Sequence, residues 1–385
     1  MRAVLLILVL SFEIAASARP MIHLRVSDSD ASLGELAALR ASLVGGGRGY
    51  VEAYLVPDDL WQLHASRIEY EIIADDYRGE APPTRDDYHD SLTVEEELEA
   101  LAEDRPDLVR MVDVGTSVQG RRIVGVVLGA DVLERTTRPA MRVSGAHHGD
   151  EWSSMEVSLA VVHALVEGYG DDPGLTAVLD DFEVWIVPLV NPDGLEDFDR
   201  YNANDVDLNR NYAYEWSMWE WASGDGPFSE PETDAMRAQG VRRSFSHGMS
   251  YHAGAVLCNY LWNYTEVDSP DEGMFAHMCG IYEAATTAPD FYSTNGAAWY
   301  ITHGDSNDWA YGVRGGHEYT LELTADKAPP EEHIPGYVDW HLDASLLFLE
   351  EGSRTGVAGQ VVDADSGVPV EARLPSPPSG SPVDA

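Results

Sequence analysis

Between Ser91 and Gly352 short apolar runs alternate with helix signatures, and no other feature of this chain narrows its fold as much. Apolar runs at Ile123–Leu128, Met141–Ser144, Val184–Val190, Val256–Trp262 and Tyr319–Leu323 read as strands. Thr93 with Glu96 three residues on has the form of a capping box, and Ser229 with Glu232 forms another that opens a helix toward Arg243. An amphipathic helix is expected near Trp340–Leu349. Strands and helices in alternation bury their apolar sides by layering helices on a sheet, so an α/β fold is expected. The length, 385 residues, leaves room for more than one domain.

The flanks read differently. Upstream, Met21–Val26, Tyr50–Val56 and Ile68–Ile73 resemble strands, and Leu33, Leu36, Leu39 and Leu43 recur at helical spacing, making residues 19–74 a small α/β segment. Residues 75–90 carry two adjacent prolines and read as a linker, in which Arg78 and Arg85 are exposed candidates for proteolytic nicking. Arg2, the apolar run Ala3–Leu10 and the small residues Ala16-Ser17-Ala18 make residues 1–18 a secretory signal, with Glu13 the one discordant residue. A secreted or periplasmic location is therefore expected, and no later run is long and apolar enough to span a membrane. At the other end, Val357–Val362, Asp365-Ser366-Gly367 and Val368–Leu374 suggest a hairpin within residues 356–385, before a Pro- and Ser-rich tail. Cys258 and Cys279 can form one bridge or stay as buried thiols; the spacing does not choose.

Charge bears on partners. Lys and Arg number 24 against 67 Asp and Glu, a formal net charge of −43. Nucleic-acid backbones and anionic membranes need cations, so neither is an expected partner. The acidic excess is spread along the chain and reads as solvated surface.

The strongest local chemical signal is Gly145-Ala146-His147-His148-Gly149-Asp150-Glu151, directly after the strand Met141–Ser144. A histidine and a carboxylate three residues apart at a strand-to-helix junction can face one metal, and zinc takes both donor types. Taken alone the pattern also suits a polar loop with a carboxylate near a helix start. It leaves open which histidine is used, because His147 stands four and His148 three residues before Glu151.

Further stretches bear on the choice: Asn191-Pro192-Asp193-Gly194, Asp207-Leu208-Asn209-Arg210-Asn211-Tyr212, Ser229-Glu230-Pro231-Glu232-Thr233, Tyr251-His252-Ala253-Gly254, Trp299-Tyr300, Asp308-Trp309 and Thr320-Leu321-Glu322-Leu323. In this order and with these gaps the chain from about Tyr88 to Gly352 resembles the zinc metallocarboxypeptidases. The resemblance implies a mixed central sheet flanked by helices over residues 91–352. It implies one zinc ion per chain on His148, Glu151 and His252, with Asp207 orienting the first histidine. Glu322 then matches the general base, Arg200 the oxyanion-stabilising arginine, Asn209 and Arg210 the grip on the substrate's terminal carboxylate, and Tyr300 the tyrosine that closes over it.

That chemistry needs these residue types. Amide hydrolysis at neutral pH requires an activated water, a polarised carbonyl, a proton shuttle and a stabilised oxyanion. Arg210 adds a planar fork that matches a carboxylate, which turns a general hydrolase into a reader of chain ends. The expected substrates are therefore peptide or protein C-termini, and the protein is expected to be a monomer. A murein-peptide amidase on the same site, or an inert zinc-containing peptide-binding protein, is the alternative; the presence of Glu322 speaks against the inert one.

His252 through Tyr260, and the hairpin at Gly356–Leu374, look closer to the regulatory branch (carboxypeptidase N/E-like), whose transthyretin-like β-sandwich would here be truncated. Asn263 stands where that branch carries an aspartate that selects C-terminal Lys or Arg. Asn307, beside Asp308, is a second pocket position and is also neutral, so broad or polar-neutral specificity is expected. Asp150 replaces an arginine of the digestive members. The segment 19–74 is compatible with an activation prodomain over the active-site funnel.

Overall fold

The computed structural model describes residues 20–77, 88–132, 138–355 and 362–368. The signal-like residues 1–18, most of the linker and most of the C-terminal hairpin lie outside them. Of that hairpin, only the turn is described, where Asp363 N–H donates to the Val368 carbonyl.

The N-terminal unit comprises β1 (Ile22–Ser27), α1 (Asp30–Ala38), β2 (Ser42–Gly47), β3 (Tyr50–Leu55), α2 (Leu60–Ser66) and β4 (Tyr70–Ala74). Its strands form an antiparallel sheet in the order β2-β3-β1-β4. Leu24, Val26, Leu36, Val51, Ala53, Leu55 and Leu63 form its core. Leu43, read from its spacing as helical, lies on strand β2 instead. The helix ends at Ala38, and β2 (Ser-Leu-Val-Gly-Gly-Gly) shows neither a helical nor a strand period, so only its pairing with β3 reveals it.

The larger unit runs α3 (Ser91–Asp104), β5 (Val109–Thr116), β6 (Arg122–Leu128), β7 (Ala140–Ser144), α4 (Trp152–Gly168), α5 (Pro173–Asp181) and β8 (Glu183–Val187). It continues with α6 (Pro192–Asp197), α7 (Pro231–Arg242), β9 (Phe245–His252), β10 (Leu257–Tyr260), α8 (Glu272–Ala285), β11 (Tyr292–Asn295), α9 (Gly296–Trp299), α10 (Ser306–Arg314), β12 (His317–Glu322) and α11 (Ile334–Arg354). The strands make one mixed sheet in the order β11-β10-β12-β9-β7-β8-β6-β5. Its centre, β12, β9, β7 and β8, is parallel; β5 and β6 run antiparallel to their neighbours, and β10 is antiparallel to β12 but parallel to β11.

Both faces of this sheet are covered. On β6, Val124, Val126 and Leu128 enter the main core, while Ile123 joins Val187, Met236 and Trp309 on the other side, the period-2 alternation of a strand. Helix α11 packs on α4, α5 and α8; α7 and α10 contact β5 and β12.

Local signals were displaced by tertiary demands. Asp90, not Thr93, caps α3, and Thr93 itself supplies the return bond of the capping box. At α7 the expected Ser229–Glu232 box does not form. Glu230 is the N-cap and Pro231 opens the helix, while Glu232 accepts from Val118 N–H at 3.0 Å and from Asn202 Nδ2 at 3.1 Å. The run from Val184 leaves the sheet at Val187 to lead into the functional region.

Cys258 on β10 and Cys279 on α8 form a disulfide, with Cα atoms 5.6 Å apart and a sequence separation of 21. A loop of that size adds about 3 kcal/mol by restricting the unfolded chain. Cys258→Ala/Cys279→Ala should therefore lower the midpoint of thermal unfolding, measured by calorimetry. No change would mean that packing alone holds α8 against β10.

Candidate active site

The parallel strands β7, β8, β9 and β12 end on one edge, the place where α/β sheets leave room for ligands. After β7 the chain crosses Gly145–Glu151 before α4 begins, and this loop carries His148 and Glu151. Strand β9 terminates on His252 and β12 on Glu322, and these two are register partners in the parallel pair.

His148, Glu151 and His252 converge. His148 Nδ1 lies 2.8 Å from Glu151 Oε1, His252 Nδ1 lies 3.0 Å from Glu151 Oε2, and the two imidazole nitrogens are 3.1 Å apart. All three side chains are buried. The outer nitrogens are engaged elsewhere: His148 Nε2 meets Asp207 Oδ1 at 3.0 Å and His252 Nε2 meets Ser250 Oγ at 3.3 Å. Each ring is thereby oriented with its inner nitrogen toward the shared point. Two imidazoles and one carboxylate facing one point form a donor set that suits zinc. His147 is buried against Tyr212 Oη at 2.9 Å and is not one of the three converging donors.

Beside them lies a small cavity, lined among others by Arg200, Asn209, Arg210, Asn263, Tyr300 and Glu322. Arg200 donates from Nε to Asp207 Oδ2 at 3.0 Å and from Nη1 to Glu151 Oε1 at 3.3 Å, so its guanidinium edges the donor triad. Arg210 Nη1 donates to the Asn209 carbonyl at 2.8 Å and to Asp305 Oδ1 at 3.2 Å. Asn209 Oδ1 accepts from Ser306 N–H at 3.0 Å. Asn263 Nδ2 donates to Asn307 Oδ1 at 2.7 Å, and Asn307 stands behind the cavity wall. Asp308 accepts from the backbone N–H groups of Asn263 and Tyr264.

Burial sets the electrostatics. It pushes the Glu151 carboxyl up, but His148 and His252 outweigh this and hold it well below the usual carboxylate range. Asp207 is likewise pushed up by burial and held well below that range by Arg200 and His148. At Glu322 burial and the Glu151 charge outweigh the cations of Arg200, Lys327 and Arg210 and push it well above the range, and its Oε2 is buried without a partner among the described residues. Burial also raises the Tyr300 phenol above its ordinary value.

The N-terminal unit reaches into this region. Val44 of β2 lines the cavity, the Leu43 carbonyl accepts from Arg210 Nη2 at 3.5 Å, and Gly46 N–H donates to the Gly254 carbonyl at 3.2 Å. A side chain at Gly45 would place its Cβ 2.6 Å from that same carbonyl, so the approach of β2 requires glycine there. Tyr54 and Tyr77, stacked with centroids 4.1 Å apart, both donate to Asp150 Oδ2, at 3.5 and 2.5 Å. Lys327, the only lysine in the sequence, donates to the same oxygen at 2.8 Å. None of Val44, Tyr54, Tyr77, Lys327, Asn259 or Asp305 carries a local sequence signal. Only Asp150 stood out, as the residue in the place of an arginine of the digestive members.

The zinc carboxypeptidase family model matches residues 94–344. Carboxypeptidase SOL1 of Arabidopsis thaliana is 29% identical over 273 residues, covering 68% of this chain and 55% of that protein. Carboxypeptidase M of Mus musculus is 28% identical over 319 residues, covering 74% and 69%. The chain thus spans about half the length of the first of these relatives. Among solved structures, carboxypeptidase A from Helicoverpa armigera superposes with a TM-score of 0.73 at 17% identity, over 87% of this chain and 98% of that one. The chain belongs to the zinc carboxypeptidase family.

Proposed function

We propose that this protein is an exported zinc carboxypeptidase of the regulatory kind, which removes residues one at a time from peptide C-termini. The observation that carries the reading is the shared cavity. A buried guanidinium fork, Arg210, lines the same space as the His148–Glu151–His252 triad and an unpartnered carboxyl, Glu322. A substrate whose terminal carboxylate docks on Arg210 and Asn209 places its last amide bond toward the triad.

His148, Glu151 and His252 would hold a zinc ion, which would supply Lewis acidity for the scissile carbonyl and for a bound water. Glu322 takes the proton from the attacking water and passes it to the departing amine, which suits a carboxyl raised by burial. Arg200 places positive charge where the carbonyl oxygen becomes an oxyanion. Asp207 keeps the His148 ring in register with the other donors. Tyr300 closes over the docked residue and excludes water. Export is supported by the signal-like first 18 residues and by the disulfide, which persists in oxidising compartments.

The N-terminal unit occupies the substrate's place as an inhibitory segment: Val44 fills part of the cavity and the Leu43 carbonyl takes a hydrogen bond from the carboxylate grip. The test uses zinc-loaded full-length protein and a peptide mixture followed by mass spectrometry, before and after tryptic severing of the 75–90 linker. Stepwise loss of C-terminal residues, faster after severing and abolished by a chelator, is expected. Internal cleavage, or no cleavage in any condition, would overturn the reading. Equal rates before and after severing would make the segment a folding aid.

A further inference from the structure

We infer that His303 and Glu220 are positioning residues for the carboxylate grip: the His303 cation takes up the charge of Glu220 and so leaves Arg210 to the substrate's carboxylate. The inference rests on the carboxypeptidase reading above. Carboxylates approach Arg210 from two sides. Its Nη1 donates to Asp305 Oδ1 at 3.2 Å, and its Nε faces Glu220 Oε1 at 3.9 Å. Its Nη2 donates to the Leu43 carbonyl of the N-terminal unit at 3.5 Å. Glu220 is the looser of the two carboxylates, and its other oxygen, Oε2, lies 3.2 Å from His303 Nδ1.

Two loops bring these groups together. The segment from Tyr300 to Asp305 turns at Gly304, whose φ of +81° suits glycine, and a Cβ there would fall 2.5 Å from the Arg210 carbonyl. Tyr212 N–H donates to the Gly304 carbonyl at 2.9 Å. His303 and Asp305 therefore flank a turn that is tied to the backbone of the residue they act on. Glu220 comes from a second loop, where its N–H donates to the Ser217 carbonyl at 3.2 Å and Trp216 Nε1 donates to the Ser223 carbonyl at 3.0 Å.

Charge then decides how the grip behaves. With His303 protonated, two cations stand against Asp305 and Glu220, and a substrate carboxylate meets a neutral cluster. With His303 neutral, both carboxylates bear on Arg210 alone and the arriving carboxylate is repelled. Glu220 raises the His303 imidazole above its ordinary value; Asp305 adds to the rise, while partial burial and Arg210 oppose it. The cation is thus present below the ordinary histidine value and is lost as pH rises through the raised one. Asp207, a further carboxylate near Arg210, is held by Arg200, and the Tyr300 phenol, raised by burial, adds no charge. Asp28, Asp30 and Arg40 of the N-terminal unit, with Glu266, line the groove that His303 and Glu220 also line. All four groups of the cluster belong to the larger unit, so their balance does not depend on the N-terminal one.

The test measures kcat and KM separately for a blocked dipeptide with a free terminal carboxylate, using zinc-loaded protein with the linker severed. Unmodified protein, Glu220→Gln and His303→Gln are compared at low ionic strength between about pH 6 and pH 9. The His303 side chain is 35% exposed and that of Glu220 23%, so solvent weakens the effect and a roughly fivefold change in KM is expected, with kcat little altered. Glu220→Gln, which deletes the carboxylate, should match the unmodified protein at the acid end and show a KM roughly fivefold lower at the alkaline end. His303→Gln, which keeps the carboxylate without its counterion, should show a KM roughly fivefold higher at the acid end and match at the alkaline end. Titrations at the metal site are common to the three proteins and cancel in these ratios. Lost packing would raise KM in both variants, so the opposite signs single out charge. Should one variant fail to fold, the other decides against the unmodified protein. KM ratios that do not change with pH, or a raised KM in both variants, overturn the inference while leaving the carboxypeptidase reading intact. No release by the unmodified protein overturns both.

Discussion

Replacing Glu322 by Gln is expected to lower kcat/KM for C-terminal release by about 10²–10⁴, with the zinc content unchanged. The reason is positional. Glu322 ends β12 beside His252 but is not one of the three converging donors, and its Oε2 has no protein partner. Gln preserves the size and packing of the side chain at that strand end and removes only its capacity to take and return a proton. The measurement is steady-state kinetics on a blocked dipeptide, with metal analysis of the same preparation. A loss of only a few-fold would remove Glu322 from the proton-transfer role. A parallel loss of zinc would show instead that it helps to hold the metal.

Replacing Arg200 by Met should cost about 10²–10³ in kcat with a smaller change in KM. Arg200 is 2% exposed and pinned by Asp207 and Glu151, so its guanidinium is already oriented before substrate arrives. A preorganised donor contributes most where charge develops, which places its effect on the chemical step. Asp207 would lose Arg200 but keep His148 and the Asn209 N–H. If KM rises and kcat does not fall, Arg200 serves substrate binding and not the oxyanion.

Much of the central fold was legible because its strands are short apolar runs separated by helix signatures. The small unit's β2 was not, because a run of three glycines has no periodicity and its place is set by β3 on one side and Gly254 on the other. Helix starts were misplaced for a related reason. Asp90 caps α3 because Thr93 serves as the third helical residue of a box opened three residues earlier, and Glu230 stands at the N-cap of α7 while Val118 and Asn202 claim the Glu232 carboxylate.

The same division runs through the site. Residue types and short spacings, His148 to Glu151 or Asn209 to Arg210, lie along the chain and can be read there, and the order of motifs pointed to the zinc carboxypeptidases. Which groups meet across long separations belongs to the folded molecule. His252 reaches Glu151 across 101 residues, Arg210 reaches Asp305 across 95, and Tyr77 reaches Asp150 across 73. Strand register and the docking of β2 choose these partners. Burial then sets their charge, and neither register nor burial is a property of a local stretch. The chain therefore announced a hydrolytic metal centre, while its packing placed the unannounced Asp305 and Val44 of β2 in the lining of the cavity.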